Sequence, residues 1–166
     1  MSRFMKIPII THFKALKQIL RYIKGTFDFG LFYGYSNNFE LVGYNDSDWG
    51  GDMNNKKSII YFVFYIGDIT FTWSSKKQSI VTLSICEVEY VATTTCVCYS
   101  IWLIILLKEL RTPQEKLIEI YVDNIPTIAL VKNHMFHDRS KHIDTRFYCL
   151  RDCITNKKVE VKYVKT

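Results

Sequence analysis

The stretch FELVGYNDSDWGGD, Phe39 to Asp52, reads as a strand that delivers the chain to Asn45 and Asp46 and then breaks into a polar, glycine-bearing loop. Downstream, the apolar run SIIYFVFYI and the segment ITFTW are separated by the turn formers Gly67 and Asp68, which predicts a hairpin. Three adjacent antiparallel strands are therefore expected from 39 to 73. Upstream, FGLFYGY and the turn-forming Ser36, Asn37 and Asn38 predict a further strand folded back onto FELVGY.

The period changes after Lys77. From Ser84 to about Leu110 the chain has no glycine or proline and is apolar enough for a long, largely buried helix, opened by the capping-box pair Ser84 and Glu87. LIEIYVD then predicts a short strand closing on Asp123, and Asn124 a cap for a helix through IPTIALVKN, with Pro126 tolerated in the first turn. A helix from Lys141 to Cys153 and a strand at VEVKYV complete the pattern. Nearer the amino terminus, Thr11 to Lys24 predicts a helix with Thr11 as N-cap, Gly25 as C-cap and a basic face of Lys14, Lys17, Arg21 and Lys24. This order defines an α/β mixed sheet with packed helices, a class in which sites collect at strand ends.

Composition narrows the function. A 48% hydrophobic share excludes a disordered chain, and a net charge of +6, from 22 Lys and Arg against 16 Asp and Glu, suits a polyanionic partner. An anionic membrane surface would feel the same field, but the most apolar window, SIWLIILLKEL, is broken by Lys108 and Glu109, so no membrane partner is expected. The amino terminus interrupts every apolar run with Arg or Lys, unlike a signal peptide. Five cysteines, at 86, 96, 98, 149 and 153, form no CxxC pair and read as packing thiols in a reducing compartment, cytoplasmic or nuclear.

Phosphodiester hydrolysis needs an activated water and stabilisation of negative charge on two oxygens. Two divalent ions supply both, and clustered carboxylates are the ligands that hard cations take. Asp46 and Asp123 each close a strand, a rigid mounting for a ligand. On the long helix Glu87 already serves the cap, whereas Glu89 shares a face with the small residues Ala92 and Cys96, where the helix can approach a sheet closely.

Other polar groups have plainer readings. Asp48 and Asp52 flank Trp49, and Asp48 is expected to shape the loop or assist the site indirectly, with Trp49 packed beneath it. His137, His142 and Asp144 lack a zinc-site spacing. Lys56, Lys57, Lys76, Lys77, Arg139, Lys141 and Arg146 are candidate phosphate contacts that double as solubilising groups. Trp73 and Trp102 fit apolar periodicities and are expected in the core.

The segments GYNDSDWGGD, KKSIIYFVFYIG, FTWSSKKQSIVTLSICEVEYVA, IYVDNIPTIAL and FHDRSKHIDTRF, in that order, resemble the ribonuclease H region of copia-type LTR retrotransposon Pol polyproteins. SRFMKIP and ILRYIKGT resemble the connection that follows the reverse transcriptase. The resemblance divides the chain into a connection-derived helix and strand, 1–38, and an incomplete ribonuclease H-like domain, 39–166. It implies hydrolysis of RNA in an RNA–DNA hybrid with two Mg²⁺ or Mn²⁺ ions, and the reverse transcriptase portion of a parent polyprotein as a neighbour. Of the family's four metal-binding acids, Asp46 matches the first, Glu89 the second and Asp123 the third; the fourth belongs to a motif following YVKT, where this sequence stops at Thr166. Ile59, Ile60 and Tyr61 stand where relatives usually carry smaller residues, and Ile85 and Cys86 where they carry serine and threonine. A non-catalytic nucleic-acid-binding or structural remnant is the alternative reading.

Overall fold

The computed structural model describes residues 5–34, 39–51, 56–114, 116–132 and 144–165, with backbone alone for 144–149. The chain divides into two compact units, Met1–Tyr33 and Gly34–Thr166.

The first unit contains α1, Ile10–Gly25. Its N-cap is Ile9, whose backbone N–H donates to His12 Nδ1 at 3.3 Å, so Thr11 lies inside the first turn. Thr26, one residue beyond the expected Gly25, is the C-cap, and both its N–H and its hydroxyl return to the carbonyl of Tyr22. The expected strand over FGLFYGY is not formed at 29–34, and Ser36 to Asn38 lie outside the described residues.

The second unit is built on a sheet in the order β3-β2-β1-β4-β5. The strands are β1 (Leu41–Asp48), β2 (Ile59–Ile66), β3 (Ile69–Lys77), β4 (Ile118–Val122) and β5 (Val159–Tyr163). β1, β2 and β3 form the expected antiparallel meander, whereas β4 runs parallel to both β1 and β5. With β2 on one edge and β4 on the other, β1 has no free edge for a further strand to pair with. This is the physical reason the upstream hairpin fails.

Alternation assigns the faces. Leu41, Gly43 and Asn45 are buried while Tyr44 and Asp46 are exposed, and Ile118, Ile120 and Val122 are buried in β4. The buried face receives α2 (Ile85–Glu109), with α3 (Ile125–Lys132) and α4 (Asp144–Thr155) packed around it. α2 is long and apolar enough to cross a membrane by length and composition, more so than the SIWLIILLKEL window alone suggests. Twelve of its residues, among them Val88, Val91, Val97 and Leu103, are instead buried in the core with Phe64 and Ile120. Removing a side chain such as that of Leu103 would cost about 2–5 kcal/mol.

The other face of the sheet carries aromatic rings. Thr72 turns its hydroxyl to Tyr99 of α2, 3.2 Å away, so its neighbour Trp73 points to the opposite side and is 62% exposed rather than part of the core. Trp102, also expected inside, lies on the outer side of α2 with its ring against Tyr99.

Candidate metal centre

Strand register brings the two aspartates together. β1 and β4 run parallel with Val42 opposite Glu119 and Tyr44 opposite Tyr121, so Asp46 and Asp123 each stand two residues further along at the same end of the sheet. Beneath them the rings of Tyr44 and Tyr121 stack with centroids 5.0 Å apart. Asp46 is exposed and Asp123 half-buried.

Glu89 arrives from α2. Ser84 caps that helix by accepting the N–H of Glu87 at 3.2 Å, and the Glu87 carboxylate reaches back to the N–H of Leu83 at 2.8 Å. Glu87 is thus held at the cap as expected, with its bond falling one residue ahead of the ideal capping box. Two residues on, Glu89 faces β1 and is buried, as are Ala92 and Cys96 on the same side of the helix. Gly43 is part of this close packing, since a Cβ there would stand 2.6 Å from Phe64 Cε1.

One ligand oxygen from each of Asp46, Glu89 and Asp123 lies within 4.8 Å of the others. Burial pushes the Glu89 carboxyl up from 4.5 to about 7; the hydrogen bond from Ser47 opposes the rise, and the negative charges of Asp123 and Asp46 add to it. Ser47 Oγ donates to Glu89 Oε1 at 2.6 Å, while Glu89 Oε2 is buried and has no hydrogen-bond partner among the described residues. An all-oxygen donor set, three converging acids and an unsatisfied buried oxygen together fit a hard divalent cation. Beside the acids is a recess of about 320 Å³, lined by Tyr44, Tyr61, Trp73 and Tyr121 among others.

Among the described residues, Asp48 is not one of the converging carboxylates. Asp48 folds onto its own loop, its Oδ2 lying 2.0 Å from where a Cβ on Gly51 would be. Trp49, expected to pack beneath the site, is 55% exposed because the loop carries it past the end of β1. Lys57 Nζ donates to the carbonyl of Ser79 at 2.7 Å, which makes it a loop clasp. Asp52, His137, Arg139, Lys141 and His142 lie outside the described residues, as do the side chains of Asp144 and Arg146. Cys86 and Cys96 are free thiols.

Sequence reasoning passed over Ser47. Its signal was the same alternation that placed Asp46: neighbours in a strand face opposite ways, so the residue after an outward acid faces the helix.

A mixed sheet in this order, with a long helix laid across its centre and an acid at each of two adjacent strand ends, defines the ribonuclease H-like fold. The solved structure of LC11-RNase H1 in complex with an RNA/DNA hybrid superposes with a TM-score of 0.52 and 13% identity, over 76% of this chain and 85% of that one. No family model matches the chain. It is 38% identical over 165 residues to the retrovirus-related Pol polyprotein of the Nicotiana tabacum transposon TNT 1-94, covering 99% of this chain and 12% of that protein. To the Pol polyprotein of the Arabidopsis thaliana transposon RE1 it is 36% identical over 166 residues, 100% of this chain and 11% of the relative. The chain belongs to the ribonuclease H-fold domains of copia-type retrotransposon Pol proteins. It spans about an eighth or less of the length of these relatives.

Proposed function

We propose that this chain is the hydrolytic module of a retrotransposon polyprotein, cutting the RNA strand of an RNA–DNA hybrid with Mg²⁺ or Mn²⁺ held by Asp46, Glu89 and Asp123. The observation that carries the reading is the approach of these three carboxylates to within 4.8 Å of one another. Two bound ions would supply an activated water and stabilisation of the leaving 3′ oxygen.

The chain's own groups divide the work. Asp46 and Asp123, at the ends of parallel strands, offer ligands whose spacing is set by the sheet. Glu89 offers a buried oxygen with no hydrogen-bond partner among the described residues. The net charge of +6 over the whole chain favours a polyanionic partner. Selection of a hybrid would rest on backbone shape and the 2′-hydroxyl rather than on base order. The related structure solved with an RNA/DNA hybrid supports that substrate class.

A second reading is a non-catalytic nucleic-acid-binding or structural remnant. Its support is the acid count, because the described residues bring together three carboxylates where the family pattern has four. In either case the reverse transcriptase portion of a longer polyprotein is the proposed neighbour, and a reducing compartment, cytoplasm or nucleus, the setting.

The deciding experiment is cleavage of a uniform RNA–DNA hybrid with Mg²⁺ or Mn²⁺ by this chain, by its D46N variant and by a version extended past Thr166 to include the fourth acid. Cleavage by the wild type and the extended version that is abolished by D46N is the expected result. Cleavage unaffected by D46N refutes the site, and cleavage by the extended version alone favours the remnant reading for the 166 residues.

A further inference from the structure

We infer that Ser47 is the positioning residue of the three-acid centre, its backbone fixing Asp46 and its hydroxyl fixing Glu89 from the two sides of one strand. The inference rests on the metal-centre reading above. Asp46 and Glu89 reach the site from opposite faces of β1, because the strand turns Asp46 away from α2. Ser47 spans the two: its N–H donates to Asp46 Oδ1 at 2.7 Å, and its Oγ donates to Glu89 Oε1 at 2.6 Å.

The bond to Oε1 selects the carboxylate orientation. The terminal torsion of a glutamate is a broad, two-fold rotor that packing holds weakly. With Oε1 engaged, Oε2 is the oxygen left for a cation, and it is buried with no hydrogen-bond partner among the described residues. Oriented ligands bind metal more tightly because less freedom is lost on binding.

A second link keeps the helix in register with the strand. Asn45 Nδ2 donates to Thr93 Oγ1 at 3.4 Å, and that hydroxyl donates to the carbonyl of Glu89 at 2.8 Å. Two residues along a strand advance about 6.6 Å, and four along a helix about 6 Å, so the Asn45–Thr93 and Ser47–Glu89 pairs form simultaneously. A slip of either element would separate both.

The test is Mn²⁺ binding by isothermal titration calorimetry, comparing wild type, D46N, Ser47→Ala, Ser47→Thr and Ser47→Cys, with melting temperatures measured alongside. Ser47→Ala should weaken Mn²⁺ binding roughly tenfold, as loss of an outer ligand-orienting bond does. Ser47→Thr, which keeps the hydroxyl, should restore affinity. If D46N loses Mn²⁺ while Ser47→Ala binds like wild type, Ser47 has no positioning role and the metal centre stands. If wild type and D46N take up Mn²⁺ alike, the metal-centre reading fails and the role of Ser47 falls with it. Should Ser47→Ala prove destabilised, Ser47→Cys, similar in size but a weak donor, provides the comparison, and wild-type affinity in that variant overturns the proposal.

Discussion

The rings of Tyr44 and Tyr121 stack at 5.0 Å with an interplanar angle of 16°, each two residues ahead of an acid of the proposed centre. The pair locks the parallel register of β1 and β4 on the sheet's outer face, and that register sets Asp46 beside Asp123. Its contribution should appear in a double-mutant cycle of Tyr44→Leu and Tyr121→Leu read by urea denaturation. A coupling of about 0.5–1.5 kcal/mol is expected, and additive single-variant losses would show that the stack contributes nothing of its own.

Glu89 predicts how stability varies with pH. Its folded value of about 7 lies above the ordinary 4.5, so between these limits the folded state retains a proton that the unfolded state has released. Stability of the metal-free domain therefore falls as pH rises from about 4.5 to 7, and levels off above. In E89Q that component of the pH profile should vanish. Mn²⁺ affinity should rise through the same window, because the cation competes with the proton for the carboxylate. A metal affinity unchanged between pH 5.5 and about 8 would remove Glu89 from the ligand set.

Glu87 and Glu89, two residues apart, should respond in opposite directions. Glu87→Gln weakens the bond to the Leu83 N–H and should lower stability by up to about 1 kcal/mol while leaving Mn²⁺ binding intact. Glu89→Gln removes a buried charge, so it should stabilise the metal-free domain at pH 8 and abolish Mn²⁺ binding. Denaturation and calorimetry on both variants check this. Equal metal loss in the two would mean that the helix faces had been assigned wrongly.

Gly43 is a packing requirement. A methyl group there would meet Phe64 Cε1 at 2.6 Å, and the Phe64 side chain is fully buried. Gly43→Ala should cost about 1–3 kcal/mol in urea denaturation. Adding Phe64→Leu should cost less than its own single-variant loss, since the smaller side chain makes room for the methyl group. Strict additivity would place the strain elsewhere.

The sequence by itself determined the local features. Period-two alternation ending in Asp46 and in Asp123, the Ser84 and Glu87 cap, and the small residues Ala92 and Cys96 in line with Glu89 are patterns written over a few neighbouring residues. They pointed to a mixed α/β sheet and offered the three acids as candidates; the ribonuclease H-like fold and the metal-binding roles came from the resemblance of the ordered motifs to copia-type Pol sequences. Tertiary structure decided what those patterns faced. Trp73 sits in an apolar strand pattern yet lies on the exposed side of the sheet, because Thr72 is the residue turned to α2. FGLFYGY has strand composition, but β2 and β4 already occupy both edges of β1. Ser47 was legible only as a polar residue between two aspartates until the fold set it against Glu89, 42 positions away. Alternation fixes which way a side chain points relative to its neighbours; the element it points toward is fixed by packing between segments distant in the chain, and the proposed centre depends on both.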